Sequence, residues 1–141
     1  MSRNGGFDLI VHGCNCFCTM GAGIAKGIKA AFPQAYEADL ATQRGDRAKL
    51  GTCTSAEIDQ NGTPLIVVNA YTQFDWRGGG SKVDYNAMRS CMRWIKEHHA
   101  GKRIGLPKIG AGLAGGDWPR IVTIIEEELA EENVTVVEFT P

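Results

Sequence analysis

His12-Gly13-Cys14-Asn15-Cys16-Phe17-Cys18-Thr19-Met20-Gly21-Ala22-Gly23-Ile24-Ala25 reads as a strand end, a loop and a helix start. Before it, residues 7–11 form a short apolar run broken only by Asp8 and bounded by Gly6 and Gly13, which suits a largely buried strand. After it, Ile24, Ile28, Ala31 and Phe32 keep helical spacing until Pro33 stops or kinks the helix. Gly21 and Gly23 allow close backbone approach, and the following helix start directs unsatisfied N–H groups and a positive dipole end at whatever lies there. That is a seat for an anion or a sugar phosphate. Alternatively, the same glycines serve only a tight turn and helix-to-sheet packing.

The plan recurs in Pro107-Lys108-Ile109-Gly110-Ala111-Gly112-Leu113-Ala114-Gly115-Gly116-Asp117-Trp118-Pro119. It follows a short strand at residues 103–106, and Asp117 can cap the next helix with Pro119 in its first turn. Two such units in one small domain say more than either alone, because their loops can converge at one end of a sheet. Neither fits a common nucleotide fingerprint. A P-loop needs Gly-Lys-Ser/Thr at its close, which residues 110–117 lack, and Gly21, Gly23 and Gly27 are spaced one residue too widely for G-x-G-x-x-G.

Between the loops, residues 35–43 suit a second, more polar helix. Residues 52–58 suit a strand running into Asp59-Gln60-Asn61-Gly62, whose Asn-Gly pair favours a hairpin, and Leu65-Ile66-Val67-Val68 marks a buried strand over 64–71. Helical spacing returns at Tyr85, Met88, Met92 and Ile95. A Glu-rich helix is expected over 121–129 and a closing strand over 134–139. Alternating strands and helices predict a three-layer α/β sandwich in a single domain spanning 1–141.

Composition narrows the function classes. The 15 basic and 16 acidic side chains nearly cancel, so no broad positive field is present to hold a phosphate polymer, and nucleic acid is not the expected partner. The five cysteines are an odd count, and Cys14, Cys16 and Cys18 alternate too closely to bridge one another. A reduced, cytoplasmic, monomeric protein without a membrane span is expected.

On Val11-His12-Gly13-Cys14-Asn15, Met20-Gly21-Ala22-Gly23-Ile24-Ala25, Leu106-Pro107-Lys108-Ile109-Gly110-Ala111-Gly112-Leu113 and the closing strand, the chain resembles the macrodomain family. Within that family it is similar to the single-domain ADP-ribose-1″-phosphate phosphatases and ADP-ribosyl-glutamate hydrolases. The resemblance runs in order from Phe7 almost to the end. It implies an α/β/α sandwich with a mixed central sheet and, as ligand, ADP-ribose or ADP-ribose-1″-phosphate, with no further cofactor.

It also implies that Asn15 and Gly21 to Gly23, with Gly13, Cys14, Met20, Ile24 and Ala25 around them, approach the distal ribose. Gly110, Ala111, Gly112 and Leu113 hold the diphosphate through backbone N–H groups, with Lys108 and Ile109 counted beside them among the ligand-binding residues, and Tyr71, Thr72 and Phe74 help wall the ribose side. Oriented peptide donors suit a nearly neutral protein, since they bind phosphates without an array of Lys and Arg.

The chain departs from the family pattern in three places. It begins too late to supply the usual first strand and the Asp after it that recognises adenine. The hydrolase branch carries a Lys in the segment read here as 71–74 and an Asp where this chain has Ala114, so lysine-based deacylation is disfavoured. The phosphatase branch carries a His at the position of His12. A strand-end His beside a phosphate can orient water or protonate a leaving oxygen, and Asp75 is its candidate partner. Equally, His12 can be a structural hydrogen-bonding residue and Asp75 an ordinary loop residue.

His12 with Cys14, Cys16 and Cys18 offers zinc ligand types, but the alternate spacing and the lack of a second ligand pair favour small buried residues, and no metal is expected. Gly78-Gly79-Gly80-Ser81-Lys82 reads as a connector or a lid, and His98-His99 and Glu126-Glu127-Glu128 as solvated helix positions. Three functions remain: removal of the 1″-phosphate from ADP-ribose-1″-phosphate, ADP-ribose capture without turnover, and substrate-assisted hydrolysis of ADP-ribosyl esters.

Overall fold

A computed structural model of the protein describes residues 6–77, 80–112 and 114–138. Its first strand, β1 (Leu9–Cys14), is almost wholly buried and forms the middle of a five-stranded sheet. The strand begins later and runs further than the apolar run suggests. Just before it, the Asp8 carboxylate clasps Arg103 at 2.8–3.1 Å while the Asp8 backbone bonds Arg103 and Ile66, and pairing with β3 (Thr63–Tyr71) continues to Cys14↔Tyr71. The Arg103 guanidinium and amide hold the Asp8 carboxyl down at about 2.

Next come α1 (Gly23–Ala31) and α2 (Pro33–Leu40). Pro33 does end the first helix, but it also starts the second directly, because a proline at the first helical position forfeits an N–H that would have no partner. The hairpin of β2 (Cys53–Gln60) and β3 closes over Asn61 and Gly62, both at positive φ (53° and 88°), the geometry of a type I′ turn. The Asp59 carboxylate accepts from the Gly62 amide at 2.7 Å. The remaining elements are α3 (Tyr85–His99), β4 (Arg103–Leu106), α4 (Trp118–Glu128) and β5 (Asn133–Val136). The last strand is shorter than the expected 134–139, whose final residue, Phe139, lies outside the described residues.

The strand order is β2-β3-β1-β4-β5, with β2 antiparallel to β3 and every other pairing parallel. Period-two alternation along β1 divides the core. Leu9 and Val11 pack with Met88, Met92, Ile95, Ile121 and Ile125 beneath α3 and α4, whereas Ile10 packs with Ile28, Ala35 and Val67 beneath α1 and α2. The sheet therefore has helices on both faces, the expected three layers.

The hairpin offers a clean test of backbone strain. A Cβ on Gly62 would meet no atom within 4 Å, so Gly62→Ala changes conformational cost alone. We expect a loss of about 1–2 kcal/mol in urea unfolding with an unchanged m-value.

Candidate functional site

Because β1 runs parallel to β4, with Leu9↔Ile104 and Ile10↔Gly105 in register, the loops that follow them leave the same edge of the sheet. Contacts at Gly13 show how close they come: a Cβ there would lie 3.3 Å from Ile109 Cγ1 in the second loop and 2.9 Å from Thr72 Oγ1 beyond β3. The end of β3 joins the first loop directly. The Cys16 amide donates to the Phe74 carbonyl at 2.9 Å, and the Gln73 amide to the Cys14 carbonyl at 3.4 Å. Both glycine segments and the 72–74 segment thus share one end of the molecule.

The first loop is shaped by its own polar side chains. Asn15 Oδ1 accepts from the Phe17 amide at 2.8 Å, and Asn15 Nδ2 donates to Thr19 Oγ1 at 2.8 Å, so Asn15 is committed to folding the loop. Gly21, Ala22, Gly23 and Ile24 are exposed, with Ala25 half-buried behind them. Ala22, at the N-cap of α1, supplies no side-chain cap, and no acidic residue lies in the first turn. Among the described residues, the amides of Gly21, Ala22 and Gly23 donate to nothing within the protein. A helix start with free donors and no carboxylate of its own favours an external anion.

The second loop curls on itself through Ala111 N to Lys108 O (3.1 Å), Gly115 N to Gly112 O (3.0 Å) and Gly116 N to Gly110 O (2.7 Å). It is strapped to the chain before α3 by Lys82 N to Ala114 O (2.6 Å), and Asp117 donates its amide to Tyr85 Oη at 2.9 Å. Asp117 occupies the N-cap of α4, but its side chain makes no cap bond. Gly110 is required where it stands: φ is +78°, and a Cβ would come within 2.9 Å of Met88 Cε. Gly112 is different, since a Cβ there, as at Gly21, would meet nothing within 4 Å. Lys108 is exposed, Ile109 is buried, and Leu113 lies outside the described residues.

Several expected site residues do not face this end. The His12 side chain is wholly buried on the α1/α2 side of the sheet, with Nε2 2.6 Å from Asn69 Oδ1 and its ring within 3.8 Å of Cys14 Sγ. Burial pushes its pKa down to about 4, against a smaller upward pull from Asn69. Asp75 grips Arg77 through both carboxylate oxygens (2.8 and 2.9 Å), which holds its carboxyl down at about 2 and makes it a poor proton acceptor. No hydrogen bond joins His12 to Asp75, so the expected catalytic pair is not assembled. Period-two geometry explains this placement of His12, which shares the face of Ile10 rather than opening onto the loop edge.

Tyr71 and Met20 are also interior side chains. The Tyr71 hydroxyl donates to Asp39 Oδ1 at 2.7 Å and shares a 3.0 Å contact with Thr54 Oγ1, so the ring does not wall a ribose. Thr72 is buried beside Gly13, and Phe74 is half-buried against Phe17. Burial raises the thiol pKa values of Cys14 and Cys16, the latter to about 11.

Sequence reasoning missed the residues that brace the first loop from below. Buried Lys49 donates to the Cys16 carbonyl at 3.1 Å and stands 4.9 Å over the Tyr71 ring. Buried Asp39 accepts from Tyr71, and its own carbonyl oxygen accepts from Thr42 Oγ1 at 2.6 Å. Desolvation raises the Asp39 pKa although Tyr71 and Lys49 oppose it. One signal was present: Asn69 is a lone polar residue in an apolar strand, directly across from His12.

Two shallow concavities lie away from the loops, about 280 Å³ between α3 and α4 and about 330 Å³ between α4 and β5. Arg89 and Glu127 in the first pair with each other, as do Arg120 and the Tyr85 ring.

The family model for the Macro domain matches residues 11–125. A phage T4 protein described as an uncharacterised 17.5 kDa protein of the tk-vs intergenic region is 36% identical over 137 residues, covering 94% of this chain and 86% of that protein. The DNA ADP-ribosyl glycohydrolase of Thermus aquaticus is 28% identical over 137 residues, covering 95% of this chain but only 38% of the relative. Among solved structures, the macrodomain of Thermus aquaticus DarG superposes with a TM-score of 0.72 at 26% identity, covering 96% of this chain and 91% of that one. Thermosipho africanus DarTG in complex with ADP-ribose shares the fold, with a TM-score of 0.75 at 18% identity over 92% of this chain and 37% of that one.

The buried imidazole predicts a pH signature. A folded-state pKa of about 4 against an ordinary 6.5 means that the unfolded chain binds the proton first. The stability contributed by neutral His12 is therefore complete above pH 6.5 and is lost as pH falls towards 4, by about 3 kcal/mol in all. Asp39, with a raised pKa, acts in the opposite sense, so the decisive quantity is the difference from His12→Gln, which cannot take up that proton. Urea midpoints between pH 7 and 4 are expected to fall more steeply for the wild type than for His12→Gln.

Proposed function

The chain belongs to the macro domain family, and on that premise we propose that it binds ADP-ribose across the two loops at the carboxyl ends of β1 and β4. One observation carries the reading: the two glycine segments leave adjacent parallel strands at the same edge, with amides at Gly21, Ala22, Gly23, Gly110 and Gly112 that no group among the described residues takes up. The first loop and the α1 start receive the distal ribose and its neighbouring phosphate, and the second loop receives the diphosphate. Thr72 and Phe74 border the ribose side. Main-chain donors suffice, which fits a net charge of −1.

Hydrolysis is the second reading, favoured by 28% identity to a DNA ADP-ribosyl glycohydrolase over 95% of this chain. Residues 71–74 contain no lysine, so water activation there falls to a phosphate of the ligand itself. Release of the 1″-phosphate by His12 and Asp75 is the less favoured route, because the imidazole is enclosed and the carboxylate is tied to Arg77. Phosphate release from ADP-ribose-1″-phosphate, compared between wild type and Asp75→Asn, tests that route directly, and equal rates are expected.

Binding is tested by thermal shift with ADP-ribose, AMP and ribose 5-phosphate. At a ligand concentration one hundred times Kd, about 2.7 kcal/mol of stabilisation is expected, a rise of several degrees for a domain of this size. Gly112→Val separates binding from folding, since among the described residues no atom beyond its chain neighbours lies within 4 Å of the new Cβ. Its unliganded Tm is expected to stay close to that of the wild type, while its affinity for ADP-ribose falls at least tenfold. A wild-type protein unmoved by saturating ADP-ribose defeats the reading.

A further inference from the structure

We propose that the outer edge of β5, with the apolar groove between it and α4, takes up an extended segment of a partner protein as an added strand, one with alternate apolar residues and lysine or arginine at both ends. None of Gly21 to Gly23 or Gly110 to Gly112 lines this groove, and the inference is independent of the ligand read at the loops. Among the described residues β5 ends the sheet, bonded to β4 on one side alone. Val137 donates its amide to the Leu106 carbonyl at 2.7 Å, next to the Leu106↔Val136 pairing. In a parallel ladder that register turns the peptide groups of Thr135 towards β4 and those of Val134 and Val136 outward. The outward N–H and C=O groups of these two valines are what another strand would pair with.

Edge strands of soluble proteins are ordinarily guarded by a charge, a proline or a bulge. At the opposite edge β2 carries exposed Glu57 and Asp59, whereas β5 is Asn133-Val134-Thr135-Val136, with neither charge nor proline. Val136 is 49% exposed, so the edge is apolar as well as open. Above it, Trp118, Val122, Ile125 and Leu129 recur at helical spacing along α4 and its C-cap and, with Val134 and Val136, line a groove of about 330 Å³. Ile125 and Leu129 also join the core, but Trp118 and Val122 are only half-buried. An antiparallel segment added to β5 would set an apolar side chain directly opposite each of Val134 and Val136, under this stripe.

The rim selects the chemistry of that segment. Glu126, Glu131 and Glu132 border the groove, and Glu138 lies two residues beyond Val136. Lys96 pairs with Glu132 at 3.8 Å and also bonds the Ala130 carbonyl, so it neutralises one carboxylate. Glu126, Glu131 and Glu138 form no ion pair among the described residues. Of the other cations on these elements, Arg103 is bound to Asp8 and Arg120 lies over the Tyr85 ring, while Lys102 and Lys108 flank β4 without lining the groove. The border of the groove is therefore acidic.

Charge placement also decides between occupants. Glu131 precedes β5 and Glu138 follows it, so a strand laid along the edge meets a carboxylate at each end, whichever way it runs. A second copy of this chain is a poor occupant, because a twofold pairing of β5 with β5 brings two such rims together. A segment with apolar residues at alternate positions and basic ends answers the groove, the free peptide groups and the carboxylates at once.

The test titrates the full chain into fluorescein-labelled Lys-Lys-Val-Thr-Val-Thr-Lys-Lys at low salt, read by anisotropy, with residue-resolved amide hydrogen exchange as a second signal. Saturable binding is expected, with exchange at Val134 and Val136 slowed at least about tenfold while Thr135, already bonded to β4, changes little. The acidic counterpart Glu-Glu-Val-Thr-Val-Thr-Glu-Glu, and the basic peptide with both valines N-methylated, which keeps charge and side chains but removes the pairing donors, are each expected to bind at least about tenfold more weakly. Val136→Lys and Glu126→Lys, both at exposed positions, should each weaken binding at least about fivefold with Tm close to that of the wild type. No wild-type binding, equal binding of the N-methylated peptide, or an unchanged Kd in either variant overturns the proposal. So does slow exchange at Val134 and Val136 in the free monomer, which would mean that the chain covers its own edge. A concentration-dependent dimer that Val136→Lys dissolves overturns it too, by making a second copy the occupant.

Discussion

Parallel pairing of β1 with β4 is the constraint on which the site depends. The β1 strand lies between β3 and β4, parallel to both, so three chain exits emerge at one edge: the first loop, residues 72–77 and the second loop. Were β4 antiparallel, its glycine segment would leave the far edge, and no rearrangement of side chains could bring the two loops together. Parallel neighbours need crossover connections, which here are helices buried against both faces, and those helices make β1 nearly inaccessible. The same topology that gathers the loops therefore enclosed His12.

A buried polar layer then fixes the first loop in height. Taking Lys49 and Asp39 out of water is costly, and the arrangement is tolerable because nearly every group finds a partner: Lys49 the Cys16 carbonyl, Asp39 the Tyr71 hydroxyl, Tyr71 also Thr54. One Asp39 carboxylate oxygen has no partner, consistent with the raised pKa of that group. Such a layer adds little net stability compared with apolar packing. What it supplies is position, since the Cys16 carbonyl is held from below by Lys49 and from the side by the Gly45 amide. The loop backbone at this edge is consequently set by side chains buried beneath it.

How much of this was legible depended on range. Local chemistry spoke clearly: Asn61-Gly62 made the expected turn, residues 103–106 the expected strand, and the two glycine segments the expected strand-to-helix passages. Facing was less legible. His12 and Tyr71 sit beside the loops in sequence, yet their side chains turn into the core: β1 runs to Cys14, three residues past the expected end at residue 11, which makes His12 an interior strand residue, and Tyr71 closes β3 with its ring inward. Long-range partners left almost no trace. Asp39 and Lys49 look like surface residues of a polar helix and a charged loop, and only folding brings them beneath Cys16 and Cys18.

Net charge describes the molecule on one scale only. A balance of −1 describes the field many ångströms away, where screening removes detail within about a Debye length of the surface. At the loop edge the relevant donors are peptide N–H groups, which carry no formal charge and are invisible to any count of Lys and Arg. Beside them, two guanidiniums lie against aromatic rings within a few ångströms, where their orientation matters more than their number. What a nearly neutral protein offers at such an edge is thus a matter of where a few dipoles and cations point, and the parallel sheet edge is what points them.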